Sequence, residues 1–257
     1  MTKTVVITGA GSGIGRNIAI VLARRGWQVV VADINEEAAR ATVADLDIGN
    51  KQRHEYAQLN VSDPQQARQV AEDVADRLGL DAWVSNAGVS RMHRFLETPI
   101  ESYDKTLEVN LKGVFVCGQA AARAMVRIGT KGAVVNTASM AGKQGKVPFL
   151  ADYVAAKFGV VGLTQAMAFE LAEHGITVNS VCPGYVATPM QERELAWEAQ
   201  LRGVTPEQVR QLYIDDTPLR KLEQPDDVAK VVAFLISEDA QFITGEAIAV
   251  NGGAYME

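Results

Sequence analysis

Thr8-Gly9-Ala10-Gly11-Ser12-Gly13-Ile14-Gly15 ends a short apolar run, residues 4–8, and opens an amphipathic one, residues 13–25. The glycines fall as G-x-x-x-G-x-G, not as the G-x-G-x-x-G of the standard dinucleotide fingerprint. The mechanics are the same. Glycine permits a tight turn and a close backbone approach. A helix that begins at the end of such a turn aims free N–H groups and its positive dipole end at an anion. Placed between a first strand and a first helix, the loop implies a site for the pyrophosphate of a dinucleotide.

The rest of the chain supplies the sheet that such a loop requires. Strand candidates at 4–8, 28–32, 55–59, 82–85, 133–138, 177–181 and 247–250 alternate with helical patterns at 13–25, 36–46, 65–78, 100–126, 153–172 and 226–237. The strands are continuous apolar runs, as strands covered on both faces are. This alternation predicts an α/β fold, a doubly wound parallel sheet with helices on both faces. The rhythm breaks between about 184 and 224, where two short helical patterns, 191–201 and 206–213, replace any strand signal. An insertion of this length after a strand predicts a substrate lid, within a single domain spanning 1–257.

Composition excludes several functions. A net charge of −6 argues against nucleic acid as a partner. The N-terminus leads straight into a strand, so no signal peptide is expected. No apolar run approaches the length of a membrane span, and a cytoplasmic location is expected. Cys117 and Cys182 lie far apart and read as reduced, buried thiols. His54, His93 and His174 have no metal-ligand spacing, so no catalytic metal is expected.

The second strand ends at Asp33, about 20 residues beyond the loop, where an acid accepts from a ribose hydroxyl and repels a 2′-phosphate. Ile34 and Asn35 follow it and bring no cation, and Arg16 reads as part of a solvated helix face. NAD is therefore the expected cofactor. Further on, Tyr153 and Lys157 stand at i and i+4, on one face of a helix. A tyrosine at its reference pKa is only about 0.1% phenolate at pH 7. A fixed ammonium beside it favours the phenolate, giving a usable acid/base for an alcohol proton.

The glycine loop, Asn86-Ala87-Gly88, Asn110, Ser139, the Tyr153/Lys157 pair and Pro183-Gly184 followed by Thr188 together resemble the short-chain dehydrogenase/reductase family over essentially the whole chain. The resemblance implies a Rossmann-like fold and a role for each matching position. Tyr153 is the catalytic acid/base, Ser139 binds the substrate oxygen, and Lys157 binds the nicotinamide ribose and lowers the tyrosine pKa. Asn110 holds a water in the proton relay to Lys157. Gly9, Ser12, Gly13, Ile14 and Gly15 form the phosphate loop, and Asn86, Ala87 and Gly88 shape the cofactor pocket. Pro183, Gly184, Val186 and Thr188 surround the nicotinamide. It also implies a homotetramer or homodimer built on the helices at 100–126 and 153–172, with the tail 251–257 at an interface.

Two positions depart from the family pattern. Ser85 stands where an asparagine is usual, and it retains a group able to donate and accept. Asn60, before Val61, stands where an acid is usual near the adenine, and its carbonyl is expected to accept from the amino group. Asp63 then reads as a helix cap ahead of Pro64. For the small-molecule substrate, Gln144 and Tyr185 are expected to join Ser139 and Tyr153 on the pocket wall. Ser90, His93 and Trp197 are further candidates. Their polarity suits a polyol, sugar or small hydroxyketone. The alternatives are a 3-oxoacyl thioester reductase or 3-hydroxyacid dehydrogenase, and more remotely a non-catalytic nicotinamide-binding regulator.

Asp33→Ala combined with a basic residue in place of Ile34 is expected to shift preference towards NADP. Steady-state kinetics with both cofactors check this, and an unchanged preference removes Asp33 from ribose reading.

Overall fold

In a computed structural model of the chain the described residues are 2–47 and 52–256. The outermost residues of the 1–257 span, and the last residue of the 251–257 tail, lie outside them. The seven strands are β1 (Thr4–Thr8), β2 (Gln28–Asp33), β3 (Glu55–Gln58), β4 (Ala82–Ser85), β5 (Ala133–Thr137), β6 (Thr177–Pro183) and β7 (Ala247–Val250). They form one sheet in the order β3-β2-β1-β4-β5-β6-β7, with every neighbouring pair parallel. The expected α/β fold is what the chain adopts.

Successive strand side chains point to opposite faces, and the two cores follow from that. Val5 and Ile7 join Ile18 and Leu22 of α1 (Gly13–Arg24) and Val228 and Val232 of α9 (Pro225–Leu235) on one face. Val6 and Trp83 pack on the other face with Ala67 and Ala71 of α3 (Pro64–Leu78) and Ala121 and Met125 of α5 (Gly113–Ile128). The shorter α2 (Glu36–Ala44) follows β2. The cap read at Asp63 is present: its carboxylate accepts from the N–H groups of Gln65 and Gln66, with Pro64 opening the helix.

The helical pattern at 100–126 is not one helix. It divides into α4 (Ile100–Leu107), a π-turn over Glu108–Lys112, and α5. Apolar periodicity runs through the joint, so the sequence pattern hides it; a π-turn adds one residue to the helical register and such turns mark functional sites. The helix read at 153–172 begins earlier, as α6 (Ala151–Leu171), and a 3-10 turn extends it to His174. Ala151–His174 is long and apolar enough to cross a membrane by length and composition, contrary to the sequence expectation. Its buried residues Asp152, Ala156, Val160, Thr164 and Ala168 recur every four positions, forming one covered face.

The insertion at 184–224 holds α7 (Pro189–Arg202) and α8 (Pro206–Asp216). Its ends meet. Val186 bridges Glu223 in parallel, the Ala187 N–H donates to the Glu223 carbonyl at 2.9 Å, and the Glu223 N–H donates to the Tyr185 carbonyl at 3.0 Å.

Gly15 shows how tightly the first turn is packed. A Cβ there would lie 2.4 Å from the Gly9 carbonyl oxygen and 2.5 Å from Asn86 Nδ2. Gly15→Ala is expected to destabilise the protein by about 1–3 kcal/mol through overpacking, seen as a lower urea midpoint at constant m. Gly145→Ala, where a Cβ meets nothing within 4 Å, is expected to leave that midpoint nearly unchanged.

Candidate active site

β1 is flanked by β2 and β4, so the chain leaves the sheet in opposite directions on either side of it, and a crevice opens at the carboxyl ends. Two residues fix its floor. Thr8 Oγ1 accepts from the N–H groups of Asn86 at 2.9 Å and Ala87 at 3.1 Å, and Asn86 Nδ2 donates to the carbonyls of Thr8 at 3.1 Å and Gly9 at 3.3 Å. Above this clasp lies a cavity of about 360 Å³. Gly9, Ser12, Gly13 and Ile14 form one side, Asp33, Asn60 and Val61 one end, and Asn86, Ala87 and Gly88 the other side. Tyr153, Lys157 and Thr188 close it. Gly15 sits beneath the loop rather than on the wall, and Pro183, Gly184 and Val186 line a second cavity instead.

The first cavity fits a dinucleotide. Gly13, at φ +55°, turns the chain into α1. The Ser12 side chain makes no capping bond, and the first turn of α1 carries no acid. The helix N–H groups and positive end therefore face the cavity unopposed, as an anionic pyrophosphate requires. At the far end Asp33 accepts from the N–H groups of Gly11 and Asn35, each at 2.9 Å. Arg16 is paired with Asp45 at 2.6 Å. Asn60 Oδ1, expected to take the adenine amino group, accepts the Ser62 N–H at 3.1 Å. Ser85 corrects an expectation: its hydroxyl is buried with no hydrogen-bond partner among the described residues, so it does not replace the bonds of an asparagine.

The second cavity, about 570 Å³, shares Ile14, Thr137, Tyr153, Thr188 and Met190 with the first. Tyr153 is thus a common wall. Ser139, Gln144 and Tyr185 line this cavity; Ser90, His93 and Trp197 do not. Ser139 Oγ accepts the Ala141 N–H at 3.1 Å, and its hydroxyl lies near enough to Tyr153 to favour the ionised phenol. Lys157 Nζ donates to the Thr137 carbonyl at 2.7 Å and lies 5.4 Å from the centre of the Tyr153 ring. The electrostatics run opposite to the sequence expectation. Burial, and then the charge of Glu194, push the Tyr153 phenol above its ordinary pKa, while burial lowers the Lys157 ammonium to about 8. Asn110 lies in the π-turn. Its amide accepts the Val89 N–H at 2.8 Å and donates to the Val89 carbonyl at 2.7 Å, which ties the π-turn to the loop after β4.

A family model described as enoyl-(acyl carrier protein) reductase matches residues 9–255. A solved short-chain type dehydrogenase/reductase from Mycobacterium marinum superposes with a TM-score of 0.90 at 33% identity, covering 99% of this chain and 96% of that one. The chain belongs to the short-chain dehydrogenase/reductase family. Among curated relatives of this short-chain dehydrogenase/reductase, a (3R)-3-hydroxyacyl-CoA dehydrogenase from Mus musculus is 40% identical over 98% of this chain and 95% of its own length. An actinorhodin polyketide ketoreductase solved with NADPH has a TM-score of 0.91 at 36% identity, over 98% of this chain and 97% of that one.

Sequence reasoning missed the part of this short-chain dehydrogenase/reductase's second cavity that α7 supplies. Gln191, Glu194, Glu198 and Arg202 line it, spaced by three, four and four residues on one face of the helix. That spacing was visible, but charged residues at helical intervals in a polar insertion read as a solvated face. Ser90 belongs to this group indirectly, since its hydroxyl donates to Glu194 Oε1 at 2.5 Å.

Lys157 provides a direct check of the electrostatics. NMR of the ligand-free enzyme, with its lysines ¹³C-methylated, is expected to show one ammonium titrating near 8 that is absent from Lys157→Met. The sign for stability follows. Between about pH 8 and 10.5 the unfolded chain binds the proton that the folded chain has lost, so stability gained from this group rises with pH across that window.

Proposed function

We propose that this protein is an NAD-linked dehydrogenase/reductase that interconverts a secondary alcohol and a ketone at C3 of a 3-hydroxyacyl or 3-oxoacyl thioester. One observation carries the reaction. Tyr153 lines both cavities, with Ser139 on the wall of the second and Lys157, on the wall of the first, 5.4 Å from the centre of its ring. The substrate class rests on the relative 40% identical over nearly the full chain, a 3-hydroxyacyl-CoA dehydrogenase. NAD rests on Asp33, whose carboxylate lines the first cavity and would repel a 2′-phosphate, with Arg16 paired to Asp45.

When bound, the nicotinamide supplies a ring carbon that accepts or gives a hydride. The chain supplies the rest. The Ser139 hydroxyl holds the substrate oxygen, and the Tyr153 phenol exchanges a proton with that same oxygen. A phenol raised by burial is protonated at neutral pH, the form that donates to a carbonyl oxygen in the reducing direction. Lys157 keeps a positive group beside the ring. Asn110 and Asn86 act at a distance, by fixing the loops at Val89 and Gly9 that frame the cofactor cavity. Insertion 184–224 serves as the lid over the substrate. The short-chain dehydrogenase/reductase assembles as a homotetramer or homodimer on α5 and α6, whose Phe115, Phe158 and Phe169 remain exposed.

A polyol, sugar or small hydroxyketone, the class expected from the sequence, is the second reading, favoured by the polar wall that α7 gives the second cavity. A nicotinamide sensor without turnover has no use for Ser139, Tyr153 and Lys157 in one cluster.

The test is turnover of 3-oxoacyl thioesters, hydroxyketones and polyols with each cofactor, followed by nicotinamide absorbance. Thioester turnover with NADH is the expected result; turnover confined to polyols or hydroxyketones supports the second reading. Tyr153→Phe is expected to lose at least 10³-fold in kcat while still binding NAD, as a general acid/base contributes about 10²–10⁴-fold. Substantial residual turnover removes Tyr153 from that role.

A further inference from the structure

Surface helices turn an apolar stripe inwards and a polar one to solvent, and α7 departs from this. Its apolar residues Leu195 and Ala199 pack on Val209 and Tyr213 of α8, while Gln191, Glu194, Glu198 and Arg202 face the second cavity. Gln191 and Glu198 are buried and Glu194 is half-buried, and polar side chains taken out of water need partners. Glu198 and Arg202 have them: Arg202 Nε donates to Glu198 Oε1 at 2.6 Å, and the Tyr213 hydroxyl donates to the other carboxylate oxygen. Tyr185, stacked on Tyr213 with ring centres 4.1 Å apart, gives its hydroxyl to Asp216 at 3.0 Å. The outer part of the wall is thus complete in itself.

The inner part is not. Gln191 is 4% exposed, and its Oε1 has no hydrogen-bond partner among the described residues. Glu194 accepts one bond, from Ser90, and a carboxylate has about four acceptor positions. Glu194 lies near enough to Tyr153 for its charge to act on the phenol. Two acceptors with spare capacity therefore line the cavity that Tyr153 and Ser139 also line.

We propose that Gln191 and Glu194 form a subsite for a hydroxyl on the substrate chain beyond the reacting carbon, selecting a hydroxylated chain over a bare alkyl chain of equal length. The inference rests on the alcohol/ketone reading above and refines its substrate class. An alkyl chain there would bury both acceptors without donors, and such mispairing discriminates more strongly than the loss of a methylene does.

The experiment uses matched pairs: 3-oxohexanoyl thioester against its 6-hydroxy analogue, and hexan-2-one against its hydroxylated analogue. The readouts are kcat/KM with NADH and, independently of turnover, calorimetric binding of the corresponding alcohols to Tyr153→Phe with NAD. The hydroxylated member is expected to be favoured at least tenfold. Glu194→Leu and Gln191→Leu are each expected to reduce that ratio at least fivefold, while Glu194→Gln, which can still accept, keeps most of it. Melting temperature and NAD affinity identify any variant whose insertion is misfolded, and Glu194→Ala or Gln191→Ala, which removes the acceptor without adding bulk, then takes its place with the same expectation. An alkyl preference in the unaltered enzyme, or a ratio unchanged in these variants, overturns the subsite. Inert thioesters beside active ketones overturn only the thioester reading.

Discussion

The Asn86 carboxamide, donating to the carbonyls of Thr8 and Gly9, is the contact on which the site depends. It joins the ends of β1 and β4, the two strands between which the crevice opens. Once it is made, the glycine turn cannot lift from the sheet, and α1 is aimed into the first cavity. The same loop continues to Val89, held by Asn110 from the π-turn, and to Ser90, which reaches Glu194 on α7. Cofactor cavity, π-turn and insertion are therefore tied to one point through consecutive residues, and an error at that point would be transmitted to all three.

Tyr153 owes its position to α6, a helix whose covered face also buries Lys157. The burial that fixes the geometry also sets the chemistry. Desolvation disfavours the charged form of either group, so it raises the phenol and lowers the ammonium together. A pair of this kind resists forming both charges until another partner compensates for the lost water. Glu194 adds to the effect on the phenol from the opposite wall.

Much of this was legible in the sequence because it rests on local chemistry. The glycine turn, the apolar strands and the Asp63 cap each carry a short-range physical signature, and the parallel sheet follows from the alternation of strands with helices. The spacing of Tyr153 and Lys157 placed them on one helical face correctly, but spacing says nothing of how much water surrounds them, and that decided the direction of their pKa shifts. The π-turn was illegible because an extra residue in a helix leaves the apolar pattern nearly intact. The inner face of α7 was illegible for the opposite reason. Its polar stripe contradicts the pattern that signals burial, and only the neighbouring Tyr185, Tyr213 and Ser90 show which way it faces.

The bridge between Val186 and Glu223 closes the insertion at its base. With both ends pinned to each other beside the sheet, the intervening helices add no separate constraint on β6 or on α9. The entropy of closing a loop grows only with the logarithm of its length, so the stretch between those anchors can be lengthened, shortened or exchanged at little cost to the framework. The molecule is in this sense a fixed socket with a replaceable head, in which selectivity for one substrate over another can drift while the cluster of Ser139, Tyr153 and Lys157 stays where it is.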